Sequence, residues 1–250
     1  MIFIMMNIAF LAIVAALMVH YFMKQRRPMA PIIYLEGNIA AGKSTLAANL
    51  KRLELFPVLD EPVRDWQDVE GHNLLELLYT DRATWSYPFQ VLALATLGRR
   101  QTSLLANHPE GLTVLERSPQ CSLRVFAQAL AEMNAIGQEH MAILRILRDA
   151  VAPPTQRPIH YIYVRTPPAI AYQRLNRRGR TEEAGVTVEY LTTLLHDLTD
   201  AWLLREEANP VHVLDGTLTP EQLLAAALDI IQDLRDDVTQ AQEPQPIREE

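Results

Sequence analysis

The stretch Gly37-Asn38-Ile39-Ala40-Ala41-Gly42-Lys43-Ser44 restricts the fold of this chain more than any other. A G-x-x-x-x-G-K-[ST] run works only where a buried strand feeds a tight turn that opens a helix. Its glycines let the backbone fold closely, so that successive N–H groups face one anion, and the helix adds its positive N-terminal end. The flanks meet this requirement. Residues 31–36 (PIIYLE) form a short apolar run of strand character, and residues 41–53 carry Leu46, Leu50 and Leu53 at helical spacing. In such a loop Lys43 reaches the β- and γ-phosphates and the Ser44 hydroxyl ligates Mg²⁺, with Thr45 next in the helix. The loop alone implies a nucleoside triphosphate and nothing finer, since GTPases, ATPases and small-molecule kinases all use it.

The remaining pattern supplies the frame. Short apolar segments at 58–59, 111–115, 159–164 and 211–214 read as strands. Helical spacing falls at 73–79, 89–105, 122–133, 139–151, 167–176, 188–204 and 220–234. Strands alternating with helices predict an α/β fold, a parallel sheet of about five strands flanked by helices. At 250 residues, 49% hydrophobic and 21% charged, the chain suits one large domain with a full core. That domain is expected over 31–236, with a polar, proline-containing, disordered tail over 237–250.

The formal charge of −7 gives no support to nucleic-acid binding, which needs a basic face. A polyanionic substrate must then be held by local positive features. Cys121 is the only cysteine, so no intrachain disulfide can form, which fits a reducing compartment. Residues 2–23 are almost entirely apolar, interrupted by Asn7 and His20. Roughly 20 such residues suffice to cross a hydrocarbon core as a helix. A basic linker at 24–30, with Lys24, Arg26 and Arg27, follows directly, which would leave the rest of the chain in the cytoplasm. Two readings stand: an N-terminal membrane anchor, or a soluble enzyme that starts at Met23 or Met29.

Several later residues suit phosphorylation of a hydroxyl. Glu61, just past the 58–59 strand, lies at the end of a parallel sheet where ligands gather and can accept a proton from an attacking alcohol. Glu116 and Arg117 close the 111–115 strand at the same end. Glu116 can help hold Mg²⁺, and Arg117 can orient Glu61 or the hydroxyl. Arg174, Arg177, Arg178 and Arg180 form a dense cationic stretch in an acidic chain. It reads as an arginine-rich lid over about 174–186, because guanidinium binds phosphate oxygens bidentately.

Taken together these motifs resemble the deoxynucleoside kinase family. The resemblance spans residues 32–214. It rests on GNIAAGKST at 37–45, EPVRDW at 61–66, NLLELLYTDRATWSYPFQ at 73–90, LERS at 115–118, YVRTPPAIAYQRL at 163–175 and RRGRTEEAGVTVEYL at 177–191. It implies a P-loop kinase fold, ATP as donor, Mg²⁺, and a homodimer through the helices at 89–105 and 139–151. By the same comparison Glu61 is the general base for the 5′-hydroxyl of a deoxynucleoside, with Arg117 beside it and Lys43 on the phosphates. Gln90 pairs with the base edge, and Trp66 and Phe126 wall the base. Tyr79 and Glu183 bind the sugar 3′-hydroxyl, Arg178 and Arg180 reach the phosphates from the lid, and Arg174 lies near the adenine. Ser44 and Glu116 are the Mg²⁺ contacts.

Members that prefer deoxycytidine place an arginine and an aspartate near the base. Leu97 and Ser122 stand there in this chain, with Ala93 nearby, which implies thymidine as the favoured pyrimidine. An apolar wall discriminates against a missing methyl by only about 1–3 kcal/mol, so other pyrimidines should be tolerated. Three features depart from the family pattern: the apolar N-terminus, Asn176 at a position that is basic in some members, and Pro119 after the arginine–serine pair. Two rival readings are a nucleoside monophosphate kinase and a catalytically inactive, membrane-associated scaffold of the same fold.

Overall fold

The computed structural model describes residues 29–242 together with Val14, Leu17 and Met18. The expectation of a membrane anchor over 2–23 therefore falls almost wholly outside the described residues. Among them, no helix is long and apolar enough to cross a membrane.

Five strands, all parallel, form one sheet: β1 (Ile32–Glu36), β2 (Val58–Leu59), β3 (Thr113–Glu116), β4 (Ile159–Arg165) and β5 (Val211–Asp215), in the spatial order β2-β3-β1-β4-β5. The α/β architecture with a parallel sheet between helical layers is thus as the spacing predicts. β1 is central, and Ile32, Ile33 and Leu35 are fully buried. Its side chains alternate between two cores. Ile33 and Leu35 pack with α1 (Lys43–Arg52) and the last helix, while Ile32 and Tyr34 pack with Tyr161, Tyr163 and Trp202 on the other face. From β1 the chain first builds β2 and β3 on one side, then β4 and β5 on the other. The strand order reverses at β1, and such a switch point leaves a crevice beyond the carboxyl ends of the strands.

A third cluster, of Trp66, Leu75, Leu78, Phe89, Leu94, Leu97, Leu123 and Leu144 among others, lies beyond that end. It is built by α2 (Val63–Gln67), α3 (Leu74–Thr80), α4 (Arg82–Asn107), α5 (119–132) and α6 (Gln138–Val151). Asn73 caps α3 by accepting from the Glu76 N–H, and Asp81 caps α4 by accepting from the Thr84 N–H; each such cap contributes about 1 kcal/mol. The Asp81 cap explains why α4 begins ahead of the expected residue 89. The helix carries Pro88 in its interior, seven residues in, where the missing N–H removes one helical hydrogen bond, the one to the Thr84 carbonyl. Likewise α5 begins at Pro119 rather than at residue 122. Ser118 caps it by accepting from the Cys121 N–H, and proline at the first helical position loses no hydrogen bond. Its middle, Ser122–Ala127, is π-helical.

The second half of the chain adds α7 (Pro168–Arg178), a 3₁₀ turn at Thr181–Gly185, α8 (190–206) and α9 (Pro220–Gln242). Gly179 ends α7 in the left-handed conformation, at φ 66°, which suits glycine. α9 continues past residue 236, where the polar tail was expected to begin, because Ile231 and Leu234 keep it seated on the sheet. Residues 243–250 lie outside the described residues.

His160 on β4 and His212 on β5 meet on the face covered by α9, with Nδ1 of the first 3.2 Å from Nε2 of the second. Burial lowers both pKa values, and for His160 the neighbouring His212 lowers it further while Asp237 opposes. A depressed histidine contributes stability that is complete above its unfolded pKa of about 6.5 and is lost as pH falls. Thermal melting followed against pH should therefore show a fall in melting temperature below about pH 6.5 that His212→Gln reduces.

Candidate active site

The phosphate loop joins β1 to α1. Gly37 has φ 142°, and a Cβ there would stand 2.5 Å from the Val164 carbonyl oxygen, so only glycine fits. Gly42 caps α1 at φ 113°, with no side chain occupying the first amide groups. Lys43 is buried beneath the turn, where Nζ donates to the carbonyl oxygens of Gly37 at 3.0 Å and Asn38 at 2.8 Å. Burial and then the charge of Arg117 lower its pKa to about 8, against the pull of Glu61, Glu116 and Glu36. The Asn38 side chain donates to the Leu191 carbonyl oxygen and ties the loop to α8.

Beside the loop, the ends of β2 and β3 bring three charged side chains together. Ser44 Oγ donates to Glu116 Oε1 at 2.5 Å, and the Glu61 N–H donates to Glu116 Oε2 at 3.3 Å. Arg117 Nε donates to Glu61 Oε1 at 2.5 Å, while its guanidinium lies 4.5 Å from the centre of the Phe126 ring. Burial alone would raise the Glu61 carboxyl, but Arg117 and then Lys43 outweigh it and leave the pKa below its usual value. Glu116 moves the other way. Burial and the neighbouring Glu61 charge raise it, with Lys43 opposing. Two carboxylates in one cleft thus differ because only Glu61 holds the arginine.

These groups open into a cleft at the end of the sheet. Trp66, Phe89, Ala93, Leu97 and Phe126 form its apolar walls, and Gln90, Ser122 and Tyr79 are uncharged polar groups among them. Ser122 Oγ donates to Gln90 Oε1 at 3.1 Å, which fixes the amide. The indole N–H of Trp66 donates to Thr96 Oγ1, so the ring is held edge-on to Phe89. The π-helical turn of α5 carries both Ser122 and Phe126. A single π-turn of this kind often marks a functional position.

Arg178, Arg180 and Glu183 line the same cleft from the lid. The family resemblance gives Glu183 and Tyr79 jointly to the sugar 3′-hydroxyl, and both line the cleft. The buried Glu183 carboxylate also accepts from Arg178 Nη2 at 2.6 Å and Arg180 Nη1 at 3.3 Å. Tyr79 lies near enough for the Glu183 charge to raise its pKa, after burial and Tyr190. An adjoining open groove is lined by the loop from Ala40 to Thr45, Arg174, Arg177, Arg178 and Leu223. There Arg174 Nη1 donates to the Ala41 carbonyl oxygen at 3.1 Å.

Some groups at or near the site escaped the sequence reading. Arg82 stacks over the neighbouring Tyr79 at 5.9 Å and over Tyr190 at 5.2 Å, and no local pattern joins Arg82 to a residue as distant in sequence as Tyr190. Leu75 and Leu78 also reach the cleft, although their spacing marks only a buried helix face. Glu36 was legible as an acid ending an apolar strand, but its partners were not.

A parallel sheet whose central strand runs into a phosphate loop, with a cationic lid closing from α7, defines a P-loop kinase domain. The sequence model described as "Deoxynucleoside kinase" matches residues 33–238, and the chain belongs to that family. It is 33% identical over 218 residues to the thymidine kinase of Ictalurid herpesvirus 1 (strain Auburn), covering 82% of this chain and 87% of the relative. It is 30% identical over 206 residues to the mitochondrial thymidine kinase 2 of Homo sapiens, covering 80% and 76%. With deoxycytidine kinase 2 of Gallus gallus it shares 34% identity over 196 residues, covering 68% and 73%.

Proposed function

We propose that this chain transfers the γ-phosphoryl group of ATP to the 5′-hydroxyl of deoxynucleosides, pyrimidines above all, with thymidine favoured and deoxyuridine and deoxycytidine accepted. One observation carries the reading. The Glu61 carboxylate, held by Arg117, faces a cleft walled by Trp66, Phe89 and Phe126 directly beside Lys43 and the phosphate loop.

The nucleoside base lies between Trp66 and Phe126, with the Gln90 amide on its edge and Ala93 and Leu97 beside the 5-position. The sugar 3′-hydroxyl meets Tyr79 and Glu183. The 5′-oxygen then attacks the γ-phosphorus in line with the leaving oxygen of ADP. Glu61 accepts the proton, Arg117 keeps the carboxylate aimed, and the loop N–H groups with Lys43 hold the transferring oxygens. Arg178 and Arg180 approach the phosphates from the lid, and Arg174 lies at the adenine side. Chemistry here is largely positioning and charge stabilisation. The Ser44 hydroxyl and Glu116 carboxylate are hard oxygen donors that suit Mg²⁺, which takes few protein ligands and keeps the rest as water and phosphate. When bound there, Mg²⁺ would neutralise charge on the β- and γ-phosphates.

Exposed Ile143 and Ile146 on α6 favour a homodimer formed through this helix, since paired apolar side chains on an outer helix face gain by burial against a second copy. The activity is tested by offering thymidine, deoxyuridine, deoxycytidine, deoxyadenosine, deoxyguanosine and thymidine monophosphate with Mg·ATP. Thymidine is expected to give the highest kcat/KM, ahead of deoxycytidine by about tenfold, the scale of one apolar contact. Phosphorylation of thymidine monophosphate alone would instead make the chain a monophosphate kinase, and turnover of none would leave it a scaffold.

A further inference from the structure

Glu36 ends β1 immediately before the phosphate loop, and the mechanism above gives it no role. Its side chain is fully buried. Burial pushes its pKa up, against Arg117 and the hydrogen bonds from Ser118. Oε1 accepts both the Ser118 N–H at 2.8 Å and its hydroxyl at 2.7 Å. Oε2 accepts no N–H or O–H hydrogen bond among the described residues and lies 3.9 Å from Arg117 Nη1. A neutral amide oxygen could accept the two bonds from Ser118 without the cost of burying a charge. The second carboxylate oxygen gains through the Arg117 charge it faces and through the weak Cys121 S–H donor, and of these only the charge is lost when the acid becomes an amide.

The backbone adds an independent observation. Arg117 has φ 66°, in the left-handed region that side chains seldom occupy. Its N–H donates to the Leu35 carbonyl oxygen at 3.1 Å, and the residue after it is the one Glu36 holds. The end of β1 therefore grips this turn on both sides. From that conformation Arg117 reaches Glu61 with Nε, Cys121 Sγ with Nη1 at 3.1 Å, and the Phe126 ring with its guanidinium face.

We infer that Glu36 is a positioning residue: it holds the left-handed Arg117 turn, and with it the Arg117–Glu61 pair, in the geometry that presents the Glu61 carboxylate to the acceptor. Glu36 does not line the acceptor cleft, so it reaches the acceptor through Arg117; its charge is also felt at Lys43, as the last of the three carboxylates there. The kinetic consequence rests on the phosphoryl transfer proposed above; the structural one does not.

The test uses the full chain with Glu36→Gln and Ser118→Ala, each alone and combined with Arg117→Met. Steady-state kinetics with thymidine and ATP give one readout. Hydrogen exchange of the Arg117 Nε–H, assigned by its disappearance in Arg117→Met, gives another. Glu36→Gln is expected to lower kcat by about 10- to 100-fold, the scale of a misplaced reacting group, with both KM values little changed. It should also speed exchange of the Arg117 Nε–H by about tenfold as the turn loosens. In the Arg117→Met background it should lower kcat no further, since residues acting as a unit are not additive. Unchanged kcat and exchange, or a loss that adds in full to that of Arg117→Met, would overturn the proposal. If Glu36→Gln does not fold, Ser118→Ala removes one of the two hydrogen bonds, together with the α5 cap, and keeps the charge. It should move both readouts in the same direction, and the proposal fails if it moves neither. Should the unmodified chain phosphorylate no nucleoside, the activity reading fails, while exchange at Arg117 still decides whether Glu36 holds the turn.

Discussion

Glu61→Gln should lower turnover by about 10²- to 10⁴-fold, the range typical of a lost general base, and leave the affinity for ATP close to that of the unmodified chain. The substitution keeps the shape of the side chain, and an amide oxygen can still accept from Arg117 Nε where the carboxylate now does at 2.5 Å. What it removes is the ability to take a proton. The lowered pKa of Glu61 keeps the group ionised at neutral pH, ready to accept. It also makes Glu61 a weak base at equilibrium, which suits a loose transition state in which the attacking alcohol gives up its proton late. ATP affinity read by calorimetry and turnover read with thymidine separate the two effects. Turnover close to that of the unmodified chain would remove the base from Glu61.

Lys43→Met should behave differently, losing both turnover, by about 10³-fold, and ATP affinity. Lys43 is buried beneath the loop turn, and its ammonium already orders the Gly37 and Asn38 carbonyls that shape the anion cradle. Methionine fills a similar volume but supplies neither charge nor donors, so two loop carbonyls lose their partner and a bound triphosphate loses its closest cation. The lowered pKa of Lys43 records how costly this charge is to bury without an anion. A triphosphate at the loop repays that cost, which is why the effect extends to binding. A variant that bound ATP normally and turned over slowly would limit Lys43 to the transition state.

These two variants also separate what was legible in the chain from what was not. The phosphate loop could be read directly, because its geometry is set by residues adjacent in sequence: glycines where φ is positive and a helix opening straight after. The sheet was legible for a related reason. Strand and helix follow local periods of two and 3.6 residues, and the alternation of the two implies parallel pairing. Local chemistry also explains the misplaced boundaries, since the Asp81 and Ser118 caps and the Pro119 start lie outside any apolar period. The roles carried by the family resemblance named the cleft residues but said little of how they are held.

Tertiary structure decided that part. Arg117 meets Glu61 across 56 residues, and Ser118 meets Glu36 across 82, only because β3 lies between β2 and β1 in the sheet. Arg178 and Arg180 turn to Glu183 because the 3₁₀ turn after Gly179 folds the acid back under the end of α7. Motifs built from neighbouring residues are written in local backbone preference and survive in the sequence. Ion pairs between strand ends depend on strand order and burial, which no spacing along the chain records.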